Sequence, residues 1–155
     1  MELTYKNLEK LIKQLGHQVF YQKETDQLVL TFKKDLIEYP VFIRIIQQQT
    51  ILQIVLFLPC RAEEGTLADT LRLLNFFNKE LDLPGFCYDE LSKLLFYRVV
   101  IPAFDKMVVS VMTLERILGS LPEIAHTFGP LTQLVASGTK TFQQILEEFV
   151  KTGRK

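Results

Sequence analysis

The sequence predicts an α+β fold in which helices pack on one antiparallel sheet. The first half contains several segments rich in β-branched and aromatic residues, and residues 51–58 are the strongest strand candidate among them. Helical periodicity dominates the second half, as in the apolar stripe between residues 142 and 150. We expect about five strands, in the order α-β-β-β-α-β-β-α.

The composition is that of one ordinary globular domain. The chain has 155 residues, of which 48% are hydrophobic and 23% charged, and a domain of this size buries enough surface to need no disulfide or metal. No repeat or linker divides it. We therefore expect a single domain over residues 1–155.

The first half begins with a helix and continues with strands. Thr4 is a candidate N-cap, and Gly16 is a candidate stop for a helix with regularly spaced apolar residues. Residues 17–23 form a weak strand candidate. Stronger candidates follow at residues 27–33, 41–47 and 51–58.

The second half opens with a helix predicted over residues 66–81, where Thr66 and Asp69 form an approximate capping box. A hairpin of residues 86–88 and 94–101 follows.

The remaining chain is mostly helical. A long helical stretch is predicted from about residue 105 to residue 128, and Pro122 is expected to kink or divide it. A short helical turn at residues 131–136 then precedes the last helix.

The strands carry apolar residues on both faces, although a face that meets water is expected to be polar. One face is hydrocarbon throughout and is predicted to lie under helices. The opposite face mixes rings and aliphatic groups with Arg and Gln, which is typical of binding surfaces. We call its candidate partner-binding residues the outer-face set: Phe42, Arg44, Gln53, Val55, Phe57, Phe96 and Arg98.

Three arrangements of the outer-face set stay open. The chain's own C-terminal segment could cover it, a protein client could bind it, or it could form a groove for a small apolar molecule.

The helix at residues 66–81 is apolar around much of its circumference. Leu73, Phe76 and Phe77 are therefore candidate dimer-interface residues. The alternative is that this helix is buried on two sides within one copy of the chain.

No catalytic, metal or cofactor site is predicted. His17 and His126 lie on different elements without further ligands nearby, and Cys60 and Cys87 match no metal or redox spacing. Nucleotide-binding and nucleophile motifs are missing. We expect a non-enzymatic protein without cofactors.

The charge pattern argues against nucleic acid as a partner. Lys plus Arg and Asp plus Glu both number 18, whereas nucleic-acid binding needs a dense positive surface. The apolar runs are too short to cross a membrane, and residues 1–16 lack the apolar core of a signal peptide. We therefore expect no membrane insertion and a cytoplasmic location.

Four segments carry a family resemblance: Leu71-Arg-Leu-Leu-Asn75-Phe-Phe-Asn78, Leu83-Pro-Gly-Phe86, Leu95-Phe-Tyr-Arg98, and Phe128-Gly-Pro-Leu131 with the later Gly138. Their order resembles that of YbjN-like proteins, which are related in fold to the class I chaperones of type III secretion. The specific match covers roughly the C-terminal half, and the N-terminal half agrees in element order.

The resemblance implies the predicted element order, a dimer, and binding through sheet and helix surfaces without enzymatic activity. The neutral charge departs from such secretion chaperones, which tend to be acidic. The leading hypothesis is a bacterial chaperone-like protein-binding module, such as a type III secretion chaperone or a related adaptor. The alternative is a homodimeric regulatory or scaffold protein of the YbjN type with no client-chaperone role.

Overall fold

The computed structural model describes residues 1–48, 50–104 and 107–153. Its helices are α1 (Tyr5–Gln14), α2 (Leu67–Glu80), α3 (Val111–Ala136) and α4 (Phe142–Lys151). Its strands are β1 (Phe20–Gln22), β2 (Gln27–Lys34), β3 (Ile37–Ile46), β4 (Ile51–Arg61), β5 (Phe86–Tyr88) and β6 (Leu94–Pro102). The predicted α+β class is confirmed.

The strands form one fully antiparallel sheet in the order β1-β2-β3-β4-β6-β5. The long strand β4 lies inside the sheet, between β3 and β6. The sheet has six strands rather than about five, because the weak candidate at residues 17–23 contributes the short edge strand β1.

One face of the sheet, the inner face, is buried under the helices. α3 crosses β4 and β2 on this side, and Gly129 of α3 lies against the ring of Tyr39. The hydrocarbon set predicted to lie under helices is buried here, and removing it from water stabilises the fold. Its members include Leu28, Leu30, Val41, Ile43, Leu52, Ile54, Leu56 and Leu58.

α4 packs on α2 rather than on the sheet. The ring of Phe76 in α2 lies 6.1 Å from the ring of Phe142 and 5.3 Å from the ring of Phe149, measured between centroids. α2 is apolar on two sides because each of these sides packs against another part of the same chain.

The capping box predicted at the start of α2 is not formed. The Thr66 hydroxyl makes no capping hydrogen bond to α2 and donates instead to the carbonyl oxygen of Ala136, at 2.7 Å. The Asp69 carboxylate accepts a hydrogen bond from the backbone N–H of Phe142, at 3.0 Å. A carboxylate at a helix N-terminus is stabilising, so both side chains tie α2 to the C-terminal helices.

The predicted division of the long helix is wrong. α3 runs through Pro122 and Pro130 as one helix and includes the segment 131–136. Each proline removes one backbone donor, but buried apolar residues before and after both prolines keep the helix packed on the sheet.

The start of α3 also differs from the prediction. The helix begins after Ser110, whose hydroxyl accepts a hydrogen bond from the backbone N–H of Thr113, at 3.3 Å. Residue 105, where the helix was predicted to begin, lies outside the described residues.

Candidate functional site

The face of the sheet opposite the helices, the outer face, brings the outer-face set together. Cross-strand neighbours share a face of the sheet, and the register aligns Phe42 with Val55 and Val55 with Arg98. The same register aligns Arg44 with Gln53 and Phe57 with Phe96. Seven residues predicted from alternation alone are therefore neighbours in space.

The C-terminal helices do not cover the outer face within residues 107–153. α3 lies on the inner face, and α4 packs on α2. Arg44 and Arg98 are exposed, and the apolar members of the outer-face set are half-buried by one another. Covering by the chain's own C-terminal segment is thus ruled out for the described residues.

Three phenylalanines form an aromatic ladder across the outer face. The rings of Phe42 and Phe57 lie 5.4 Å apart in an edge-to-face arrangement, and those of Phe57 and Phe96 lie 5.8 Å apart. Such ring pairs stabilise one another beyond simple burial. The ladder spans β3, β4 and β6 and forms a continuous apolar strip on the outer face.

A groove of about 640 Å³ opens beside this ladder. β3 and β4 pair only over residues 41–46 and 51–56, because the next residue of β3, Pro40, has no N–H to donate. The register of β4 against β6 shifts around Pro59, a bulge that suits proline. Both prolines line the groove, together with five of the outer-face set: Phe42, Arg44, Gln53, Val55 and Phe57.

A row of polar side chains borders the groove. The Arg44 Nε donates a hydrogen bond to Gln27 Oε1, at 2.7 Å, and the Gln27 amide donates to Gln22 Oε1, also at 2.7 Å. Gln27 is only 3% exposed, and these bonds satisfy its amide. This row fixes the Arg44 side chain at the groove edge.

Arg61 belongs to the same face but is not among the residues predicted from the sequence. It pairs with Leu94, which lines the groove, so its side chain lies on the outer face. The prediction ended this strand at residue 58, because Pro59 resembles a strand terminator. The bulge instead carries β4 on to Arg61, and bulge formation is not readable from a single sequence.

The sequence model of the YbjN family matches residues 4–133 of the chain, under the description "Putative bacterial sensory transduction regulator". The chain belongs to the YbjN family. The predicted resemblance is therefore confirmed over most of the length of this YbjN protein.

A solved structure is also similar to this chain. The "Structure of the HopA1-SchA Chaperone-Effector Complex" is similar to this YbjN chain at 20% identity with a TM-score of 0.49, covering 81% of this chain and 93% of that chain. No curated protein matches.

Residues in the segments that carry the YbjN resemblance stabilise the fold. The Asn78 Oδ1 accepts hydrogen bonds from the backbone N–H groups of Gly85 and Phe86, at 3.0 and 2.8 Å, and its Nδ2 donates to the Phe86 carbonyl, at 3.0 Å. The Tyr97 hydroxyl donates to the Leu83 carbonyl, at 2.8 Å. A Cβ at Gly85 would overlap the Arg98 carbonyl oxygen.

The predicted dimer-interface residues are corrected in part. Leu73 and Phe77 are fully buried in the core of one chain, so a second copy has no access to them. Phe76 is half-buried because α4 covers it. The alternative reading of this helix, burial on two sides within one copy, is the one found.

The thiols and histidines form no reactive cluster in the described part of this YbjN chain. Burial raises the pKa of the Cys60 thiol to about 12, which suppresses the reactive thiolate. Groups of three or more potential metal ligands are absent from residues 1–48, 50–104 and 107–153. Over the same residues, every helix is too short or too polar to cross a bilayer.

Proposed function

We propose that this YbjN protein is a non-enzymatic, chaperone-like protein-binding module that works in the cytoplasm without a cofactor. The observation that carries the proposal is the groove beside the aromatic ladder of Phe42, Phe57 and Phe96. An apolar surface of this kind marks an interaction site when it remains in contact with water.

The chemistry of the groove suits a polypeptide. Rings supply contact area, while Arg44 and Gln53 supply directional hydrogen bonds to backbone or side chains. The groove is open to solvent along the sheet, so an extended or amphipathic segment of a client would lie across the strands with its apolar side inward. A second copy of the chain is the competing occupant of the same face.

A double variant tests the proposed face. Phe42→Asp with Phe57→Asp places two charges in the apolar centre, and we expect partners that co-purify with the unmodified protein to be lost. The matched control is Leu91→Asp, which changes a residue that is 95% exposed in the loop before β6. Circular dichroism and thermal unfolding confirm that each variant folds.

The outcome that contradicts the proposal is equal recovery of the same partners by the folded double variant and by the control. Light scattering of both proteins at several concentrations addresses the second occupant. A mass that falls from dimer to monomer only in the double variant would assign the face to a second copy instead of a client.

A further inference from the structure

Three arginines surround the apolar centre of the outer face without acidic partners. Arg44, Arg61 and Arg98 form no ion pair with any carboxylate among residues 1–48, 50–104 and 107–153. Each guanidinium carries several N–H donors. Of these donors, only the Nε of Arg44 donates a hydrogen bond to another described residue, Gln27.

One ion pair lies on this face, between Lys33 and Glu38, and Glu38 also lines the groove. Lys33 and Glu38 are cross-strand neighbours in β2 and β3, and their charged atoms lie 2.6 Å apart. By contrast, Arg44 stands opposite Gln53, and Arg98 stands opposite Val55. The whole chain is neutral, so the positive excess belongs to this face and not to the chain as a whole.

An uncharged apolar partner would be a poor match for this arrangement. Covering a guanidinium removes it from water, and this desolvation is costly unless a charged group replaces the lost hydration. A carboxylate offers Arg two parallel hydrogen bonds and offsets much of that cost.

We infer that the outer face binds a segment that is both apolar and acidic, with carboxylates placed to reach the arginines around the aromatic ladder. This inference rests on the proposed function and specifies the class of client. The alignment of strands fixes the expected spacing: Arg44 and Arg98 are two strands and two residues apart, which is about 12 Å between Cα atoms.

That spacing matches simple peptide geometries. In an extended client, side chains four residues apart lie on one face at a separation of about 13 Å. In a helical client, residues two turns apart are separated by about 11 Å along the axis. Acidic residues at either spacing would contact both arginines, and apolar residues of the same segment would contact Val55, which lies between the arginines, and the ladder beside it.

Three matched peptides test the inference on the full chain. Each is labelled with fluorescein and is about twelve residues long, enough to cross the sheet, with Val and Phe on one face. The peptides carry Glu, Gln or Lys at two positions four residues apart. Fluorescence anisotropy at low and high salt gives their dissociation constants.

We expect the Glu peptide to bind about tenfold more tightly than the Lys peptide at low salt, with the Gln peptide between them. Arg44→Gln and Arg98→Gln should each weaken binding of the Glu peptide by about threefold and leave the Gln peptide nearly unchanged. The matched control is Arg116→Gln, which removes an exposed arginine from α3.

Failure of the inference and failure of the proposed function give different results. Equal binding of all three peptides, still lost in the Phe42→Asp, Phe57→Asp variant, would overturn the acidic preference and support the face. If no peptide binds, both are overturned. Tighter binding of a single-stranded RNA oligonucleotide than of the Glu peptide, abolished by the arginine variants, would assign the arginines to phosphate groups and overturn the inference.

Discussion

Gly119 and Gly129 both lie inside α3, but their surroundings differ. A Cβ at Gly129 would lie 2.6 Å from Cε1 of Tyr39 and 2.7 Å from its hydroxyl oxygen, whereas a Cβ at Gly119 would meet nothing within 4 Å. Tyr39 is almost fully buried, so its ring has little room to move. Gly129 is therefore needed for close packing of the helix on the sheet.

These two glycines make a matched pair of predictions. Gly129→Ala should lower the free energy of unfolding by about 1–3 kcal/mol, because the methyl group overpacks the contact with Tyr39. Gly119→Ala should raise it by about 0.5–1 kcal/mol, because alanine loses less backbone entropy in a helix. Urea unfolding followed by circular dichroism measures both, and stabilisation by Gly129→Ala would contradict the packing described.

At the scale of elements, a helix side chain caps the β5 edge of the sheet. β5 is an edge strand, and the side chain of Asn78 from α2 occupies both the N–H and the carbonyl of Phe86. Unpaired backbone groups at an edge invite pairing with another chain. The amide of Asn78 thus takes the place of a neighbouring strand and joins α2 to β5.

We expect Asn78→Ala to lower the free energy of unfolding by about 2–3 kcal/mol, since several partly buried hydrogen bonds are lost and their partners are left unpaired. The control is Asn75→Ala, at an exposed position on the same helix, which should change stability by less than about 0.5 kcal/mol. Hydrogen exchange should also become faster at Phe86. Equal stability of the two variants would show that Asn78 does not hold this edge.

At the scale of the whole molecule, buried protonated groups make the free energy of unfolding fall at alkaline pH. Burial raises the pKa of the Cys60 thiol from 9.0 to about 12. Burial is also the main cause that raises the pKa of Tyr39 and Tyr97 above 10.0. The unfolded chain releases these protons first, so the stability they contribute is complete below pH 9 and is lost as the pH rises toward 12.

Cys60→Ala should therefore delay the alkaline loss of stability. In the unmodified protein we expect the free energy of unfolding to begin falling near pH 9, and in the variant near pH 10, where the tyrosines of the unfolded chain ionise. Urea unfolding between about pH 7 and about pH 11, with each protein referred to its own value at neutral pH, measures the difference. Superimposable pH profiles would contradict the assigned burial of Cys60.

The sequence alone determined the alternation that defines the two faces of the sheet. Side-chain direction in a strand depends only on the parity of the position, so the outer-face set could be named without coordinates. The family segments could also be identified from the sequence. What their residues do could not: Asn78, Gly85 and Tyr97 have structural roles that only the contacts reveal.

Tertiary structure decided which apolar surfaces are covered. The helix pattern of α2 was the same whether a second copy or α4 packed on Phe76, and only the position of α4 distinguishes these cases. The groove likewise required the end of β3–β4 pairing at Pro40 and the bulge at Pro59. Periodicity is a local property of the chain, whereas coverage and register depend on contacts between distant segments. The residues of the outer face could therefore be predicted from the sequence, but only the tertiary packing decided that the helices leave this face uncovered.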